Sequence, residues 1–123
     1  MSEEESYRRV LRDNNLTEEQ VQQQIHTMDV LDELSNMYVG DSTIHGKGCF
    51  TSRKVNKGCI ICPARIKHLR TLAGRYCNHA ENPNAFSKFI NGSFVLITRV
   101  DIEKGDEVTL NYQQVINENS VAQ

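Results

Sequence analysis

Three places in this 123-residue chain carry side chains whose types and spacing could do chemistry. The first is residues 75–84, RYCNHAENPN, where a histidine stands among amides and a cysteine and Asn-Pro-Asn closes the run. It has no period, so neither a helix face nor a strand face accounts for it; taken alone, a turn with a satisfied histidine does. The second is the C-x-x-C of Cys59 and Cys62, a spacing that invites a zinc site. The two isoleucines inside it read as a short buried strand, however, and a strand sends residues 59 and 62 to opposite faces. No second C-x-x-C and no H-x3-H completes a ligand set. With Cys49 and Cys77, the four thiols read as buried or half-buried and unpaired, and no metal is expected. The third place is Gly46-Lys47-Gly48, where glycines permit a turn or a close approach of backbone.

A single domain is the natural frame for these residues. With 38% hydrophobic and 24% charged residues, the composition is that of a globular protein. No apolar run approaches the roughly 20 residues of a membrane span, and the acidic start MSEEESYRRV has no apolar signal core. An intracellular protein without a membrane partner is expected. The net charge of −2 hides a partition: residues 1–41 carry ten acids and three bases, residues 42–100 ten bases and one acid, and residues 101–123 five acids and one base. The basic middle either holds an anionic partner such as nucleic acid or docks against the chain's own acidic ends.

The elements that must position the three places follow from pattern. Ser2 with Glu3, Glu4 and Glu5 predicts a capped helix, broken at Asn14-Asn15. Thr17 and Gln20 predict a second capping box, stapled by Leu16 and Val21, and Val21, Ile25, Met28, Leu31 and Leu34 line one helical face to about Ser35. Together they make an N-terminal helical hairpin over residues 1–36 whose apolar stripe must dock on the domain, or form a homodimer interface. Short β-rich segments follow at 37–40, 48–51 and 59–62, then a hairpin over 85–99 turning at Asn91-Gly92, and a last strand over 107–112. Two turns look alike, Val55 to Gly58 and Ile102 to Gly105, and suggest related β units. Residues 114–123 lack period and are expected to fray as a flexible tail.

Three stretches, taken in order, resemble the SET domain family. Residues 42–61, STIHGKGCFTSRKVNKGCII, resemble its opening; residues 74–85, GRYCNHAENPNA, are similar to its Asn-His signature; residues 104–112, KGDEVTLNY, look like its close. The resemblance implies an α+β fold over residues 37–113, mainly β, of small curved sheets in which the Asn-His segment threads beside the closing strand in a knot-like arrangement. It implies methyl transfer from S-adenosylmethionine to a lysine of a protein or peptide substrate. On that resemblance the cofactor-binding residues are Gly46, Lys47 and Gly48, which approach the cofactor, Asn78, which meets its amino-acid end, His79, whose backbone meets the adenine, Arg75, which supports the segment or the cofactor carboxylate, Tyr76, which packs beside the Asn-His pair, and Tyr112. Tyr112 would be catalytic, orienting the amine.

Departures matter too. Ala80 replaces the family's serine, and no cysteine follows Tyr112, so the zinc-binding tail of many relatives is absent. The insert that walls the lysine channel in relatives shrinks to residues 63–74. The N-terminal helices are expected to stand in for that wall. The rival expectation is a SET-derived binding module without catalysis.

Overall fold

The structure is a computed structural model and describes residues 2–20, 30–31, 37–66 and 69–121. Helix α1 (Glu3–Asp13) begins as its sequence dictates: Ser2 Oγ accepts the Glu5 N–H at 3.1 Å, with Glu3, Glu4 and Glu5 in the first turn and Arg12 in the last. It ends at Asn14, and Asn15 turns the chain with φ +54°. Thr17 and Gln20 form the expected reciprocal box, at 2.8 and 3.1 Å.

Most of the second helix of the expected hairpin lies outside the described residues. Its stripe, however, does not run unbroken to Ser35. Val30–Leu31 is strand β1, paired parallel to β5 (Leu69–Thr71) at Val30↔Arg70 and Leu31↔Thr71. The edge of β5 offers backbone donors and acceptors that only an extended segment can use, and tertiary pairing of this kind overrides helical pattern.

Two sheets hold the rest. One has the order β1, β5, β4 (Ile60–Ile66), β8 (Ser93–Thr98), β7 (Ala85–Ile90); the other has β2 (Met37–Asp41), β3 (Lys47–Thr51), β9 (Glu107–Leu110), β6 (Asn78–His79). The β7–β8 hairpin closes at Ile90↔Ser93, leaving Asn91 and Gly92 at φ +50° and +83°, a turn that suits Asn-Gly. The two look-alike Lys-Gly turns meet each other, through a Val55↔Ile102 bridge with bonds of 2.9 and 2.8 Å. Alternation along β8 sends Phe94, Leu96 and Thr98 inward. Phe94 and Leu96 join Ile61, Cys62, Met37, Cys49, Val108 and Leu110 in one core drawn from both sheets.

Cys59 is exposed and Cys62 buried, but not by simple alternation. The strand begins at Ile60, which is exposed, and a register shift between Ile60 and Cys62 leaves Ile61 and Cys62 both buried, which corrects the expectation of a buried strand over 59–62. The expectation of four sheltered thiols is therefore corrected at Cys59. Burial pushes the Cys62 thiol up to about 12, and Cys77 is raised by its contact with Cys49 and by burial, so both stay protonated.

The shortened insert is now explicit. The described residues among 63–74 are the end of β4, all of β5 and the start of helix α2 (Leu72–Tyr76), whose N-terminal Gly74 amide is held by Thr71 Oγ1 at 3.2 Å. Arg75 and Tyr76 are the last residues of α2, and only Cys77 separates them from Asn78.

The expected tail is corrected. Strand β9 stops at Leu110, and residues Tyr112–Val121 are helix α3. Val115 of this helix packs against the core, and its polar side chains serve a strand edge. Gln114 exchanges two bonds with the Ser87 backbone, at 3.0 and 2.7 Å, and Glu118 accepts the Phe89 N–H at 3.0 Å. Those are the outward-facing groups of edge strand β7, and side-chain amides and a carboxylate take the place of a further strand. Among the described residues no helix is long and apolar enough to cross a membrane.

Candidate active site

The NHAENPN segment is built into β9 at both ends. Asn78 and His79 pair parallel with Thr109 and Leu110, so the segment lies beside the closing strand. Further on, Asn84 clamps the same strand: its Nδ2 donates to the Glu107 carbonyl at 2.8 Å and its Oδ1 accepts the Thr109 N–H at 2.9 Å. Arg99 donates to the Pro83 carbonyl at 3.1 Å and fixes the exit.

The Asn78 amide is the hub of the inner wall. Nδ2 donates to the carbonyls of His45 and Lys47, at 3.0 and 3.1 Å, and to Glu107 Oε2 at 2.9 Å. Glu107 also accepts Ser42 Oγ on both oxygens at 2.8 Å. With Nδ2 committed to the protein, Oδ1 is what this side chain can offer a ligand. Gly46 turns the 45–47 loop with φ +48°. Gly48 serves differently: a Cβ there would collide with the Glu107 carboxylate.

His79 joins three elements. Its Nδ1 accepts the Tyr112 N–H at 3.0 Å, so the ring proton sits on Nε2, which donates to the buried Ser6 Oγ of α1 at 2.8 Å. Burial lowers its pKa, against the pull of Glu3 and Glu81 and together with Arg9. The backbone N–H groups that open α3 are thus satisfied, Tyr112 by His79 and Gln113 by Asn111 Oδ1 at 2.9 Å. The Tyr112 hydroxyl donates to the Cys77 carbonyl at 2.8 Å.

These groups surround one cavity of about 350 Å³, within the range of small-molecule sites. Gly46, Lys47, Arg75, Tyr76, Asn78, His79 and Tyr112 line it; Gly48 lies behind the lining. Lys47 turns its ammonium to Asp41, at 2.6 Å, which raises the lysine's pKa and lowers the aspartate's. Its backbone and stem are what it gives the cavity. The sequence reading missed two contributions. Glu107, which ties the wall together, stands in the sequence only as the first residue of the closing strand. Helix α1 supplies Glu3, Glu4, Tyr7 and Arg8 to the lining, with Glu18 just beyond it. The expectation that the N-terminal helices stand in for the missing wall of the lysine channel rests on the stripe from Val21 to Leu34, and residues 21–29 and 32–36 lie outside the described residues; α1 itself sits beside His79 and Tyr112.

A mixed lining of this sort suits a zwitterionic, partly aromatic ligand. Three tyrosine rings offer faces to a ring or a cation, acids stand on the α1 side, and Arg75 stands on the inner wall.

Comparison with known proteins agrees with this architecture. The SET domain family's sequence profile matches residues 3–113, and the chain belongs to that family. Among solved structures it is similar to a proposed histone methyltransferase of Plasmodium falciparum, at 24% identity and TM-score 0.53, over 65% of this chain and 95% of that one. It is also similar to a humanized mutant of the Chaetomium thermophilum Polycomb Repressive Complex 2 bound to an inhibitor, at 17% identity and TM-score 0.55, over 65% of this chain. The match spans only 15% of that chain. A further structure of the Chaetomium complex gives 16% identity, TM-score 0.54 and the same coverages. A search of curated proteins finds no match.

Proposed function

We propose that this chain is an S-adenosylmethionine-dependent protein-lysine N-methyltransferase. The observation that carries the reading is convergence: the 45–47 loop, residues 75–79 and Tyr112, far apart in sequence, line one cavity of cofactor size. Membership of the SET family supplies the reaction class.

S-adenosylmethionine, when bound, supplies a methyl group on a sulfonium already activated for displacement. The chain's work is therefore to bind, align and exclude water. Asn78 Oδ1 and Arg75 would hold the amino-acid end. The His79 backbone in β6 would meet the adenine, and Tyr76, packed against the core, would stiffen that wall. Tyr112 would orient an unprotonated lysine Nζ, its hydroxyl held by the Cys77 carbonyl so that its lone pairs face the incoming amine. As the Nζ–methyl bond formed and the sulfur–methyl bond broke, Nζ would become a methylated ammonium, which would shed a proton to solvent, and the demethylated thioether would leave. A basic peptide, such as the histone tails named for the structural neighbours, suits a mouth edged by Glu3, Glu4 and Glu18.

The short 63–74 segment favours the rival reading, a binding module without catalysis. Transfer of labelled methyl from S-adenosylmethionine to histone peptides, or to the protein itself, separates them. Wild-type protein should transfer, and Tyr112→Phe should keep its fold and cofactor affinity while losing on the order of 100-fold in rate. Cofactor binding without any transfer, across a library of lysine peptides, would favour the binding module. Equal rates for the two proteins would remove Tyr112 from the mechanism.

A further inference from the structure

We propose that α1 is the outer wall of the cofactor cavity and that Tyr7 is its positioning residue, setting the Tyr112 ring by edge-to-face contact. The inference rests on the cofactor reading above. Helical spacing divides α1 into two stripes. Ser6 and Val10, four apart, are buried against the domain, while Glu3 and Tyr7, and Glu4 and Arg8, four apart again, line the cavity.

The docking is specific. Besides the Ser6–His79 bond, Glu3 Oε2 accepts the Glu81 N–H at 2.8 Å and Arg9 pairs with Glu81 at 3.0 Å. At the far end Asn14 Nδ2 donates to Gln113 Oε1 at 2.6 Å. These bonds join residues 72 or more apart in sequence and seat the helix on the Asn-His segment and on α3 together.

Tyr7 uses that seat. Its ring meets Tyr112 at 5.5 Å between centroids and 79° between planes, an edge-to-face pair. The His79 ring lies 5.1 Å from Tyr112 and 6.1 Å from Tyr7. The Tyr112 hydroxyl is tied to Cys77 and its N–H to His79, and the Tyr7 and His79 rings bear on the plane between those ends. Burial and the nearby Glu18 raise the Tyr7 pKa, so the phenol stays neutral and leaves the cavity's charge to its acids and bases.

Calorimetry with S-adenosylhomocysteine on the full chain tests this. Tyr7→Phe should bind within about twofold of wild type, while Tyr7→Leu, which keeps the helix and the apolar bulk, should bind on the order of tenfold more weakly. Tyr38→Leu, at an exposed tyrosine of β2, should change nothing. Melting curves check that each variant folds. In the unliganded protein, the NMR ring signals of labelled Tyr112 should move in Tyr7→Leu and stay in Tyr7→Phe. Wild-type affinity in Tyr7→Leu, or an unmoved Tyr112 ring, would overturn the inference and leave the cofactor reading standing. A loss in Tyr7→Phe equal to that in Tyr7→Leu would overturn the role of the ring. No binding by wild type would overturn the cofactor reading and the inference with it.

Discussion

The two walls of the cavity are made in opposite ways. The inner wall, of the 45–47 loop, β6 and Tyr112, is woven into a sheet: Asn78 and His79 are buried, paired with β9, and tied by Glu107 and Asn84 to neighbouring strands. The outer wall is one short helix that buries only Ser6, Val10 and Leu11 and docks through a few polar bonds. Isolated helices of this length are marginal in water, so α1 depends on those bonds. The inner wall is a rigid cradle, and the outer wall is an attachment whose hold can be varied without dismantling the domain.

The largest effect should come from breaking the inner wall at its hub. Glu107→Ala leaves the Ser42 hydroxyl without its acceptor and removes the charged one of the three acceptors around Asn78 Nδ2, and should cost about 2 kcal/mol of stability in urea denaturation. Gly48→Ala should act in the same direction, by forcing the carboxylate aside. A change below about 0.5 kcal/mol in Glu107→Ala would show that the hub is held by other contacts.

Acidification tests the seam between the walls. A proton added at His79 Nδ1 would face the Tyr112 N–H, donor against donor. Because burial holds the folded pKa below the ordinary value, the unfolded chain takes that proton first. The stability His79 contributes is then full above about pH 6.5 and is lost as pH falls below it. Melting temperature should drop through that window, and His79→Gln should flatten the drop. An identical pH profile in that variant would assign the titration to another group.

The smallest effect belongs to the outer wall alone. Asn14→Ala cuts the α1–α3 link and should cost about 1 kcal/mol, with faster hydrogen exchange confined to α1. Exchange that quickens equally in β6 and β9 would mean the two walls open as one unit.

The same contrast explains what the sequence made legible. The inner wall announces itself because its geometry needs particular residue types in order: Gly46 at positive φ, Asn78 and Asn84 whose amides mimic backbone, a tyrosine after the closing strand. The Asn91-Gly92 hairpin and the caps at Ser2 and Thr17 are local and equally plain. Elements defined by what they pack on were not. Helix α3 sets Gln114 and Glu118 against a strand edge, and Val30–Leu31 became a strand because β5 lies beside it. Tyr7 reads as an ordinary helical residue until its helix is seen against His79.

Whether two such unlike walls make one cofactor site is tested most directly by an amide-resolved NMR titration of the full chain with S-adenosylhomocysteine. One saturating transition should move Gly46, Asn78, His79 and Tyr112 on the inner wall and Ser6 and Tyr7 on the outer wall, all with a single dissociation constant. Absence of shifts at millimolar ligand, or shifts confined to the separate groove beside Pro83 and Arg99, would contradict the assignment of the cavity.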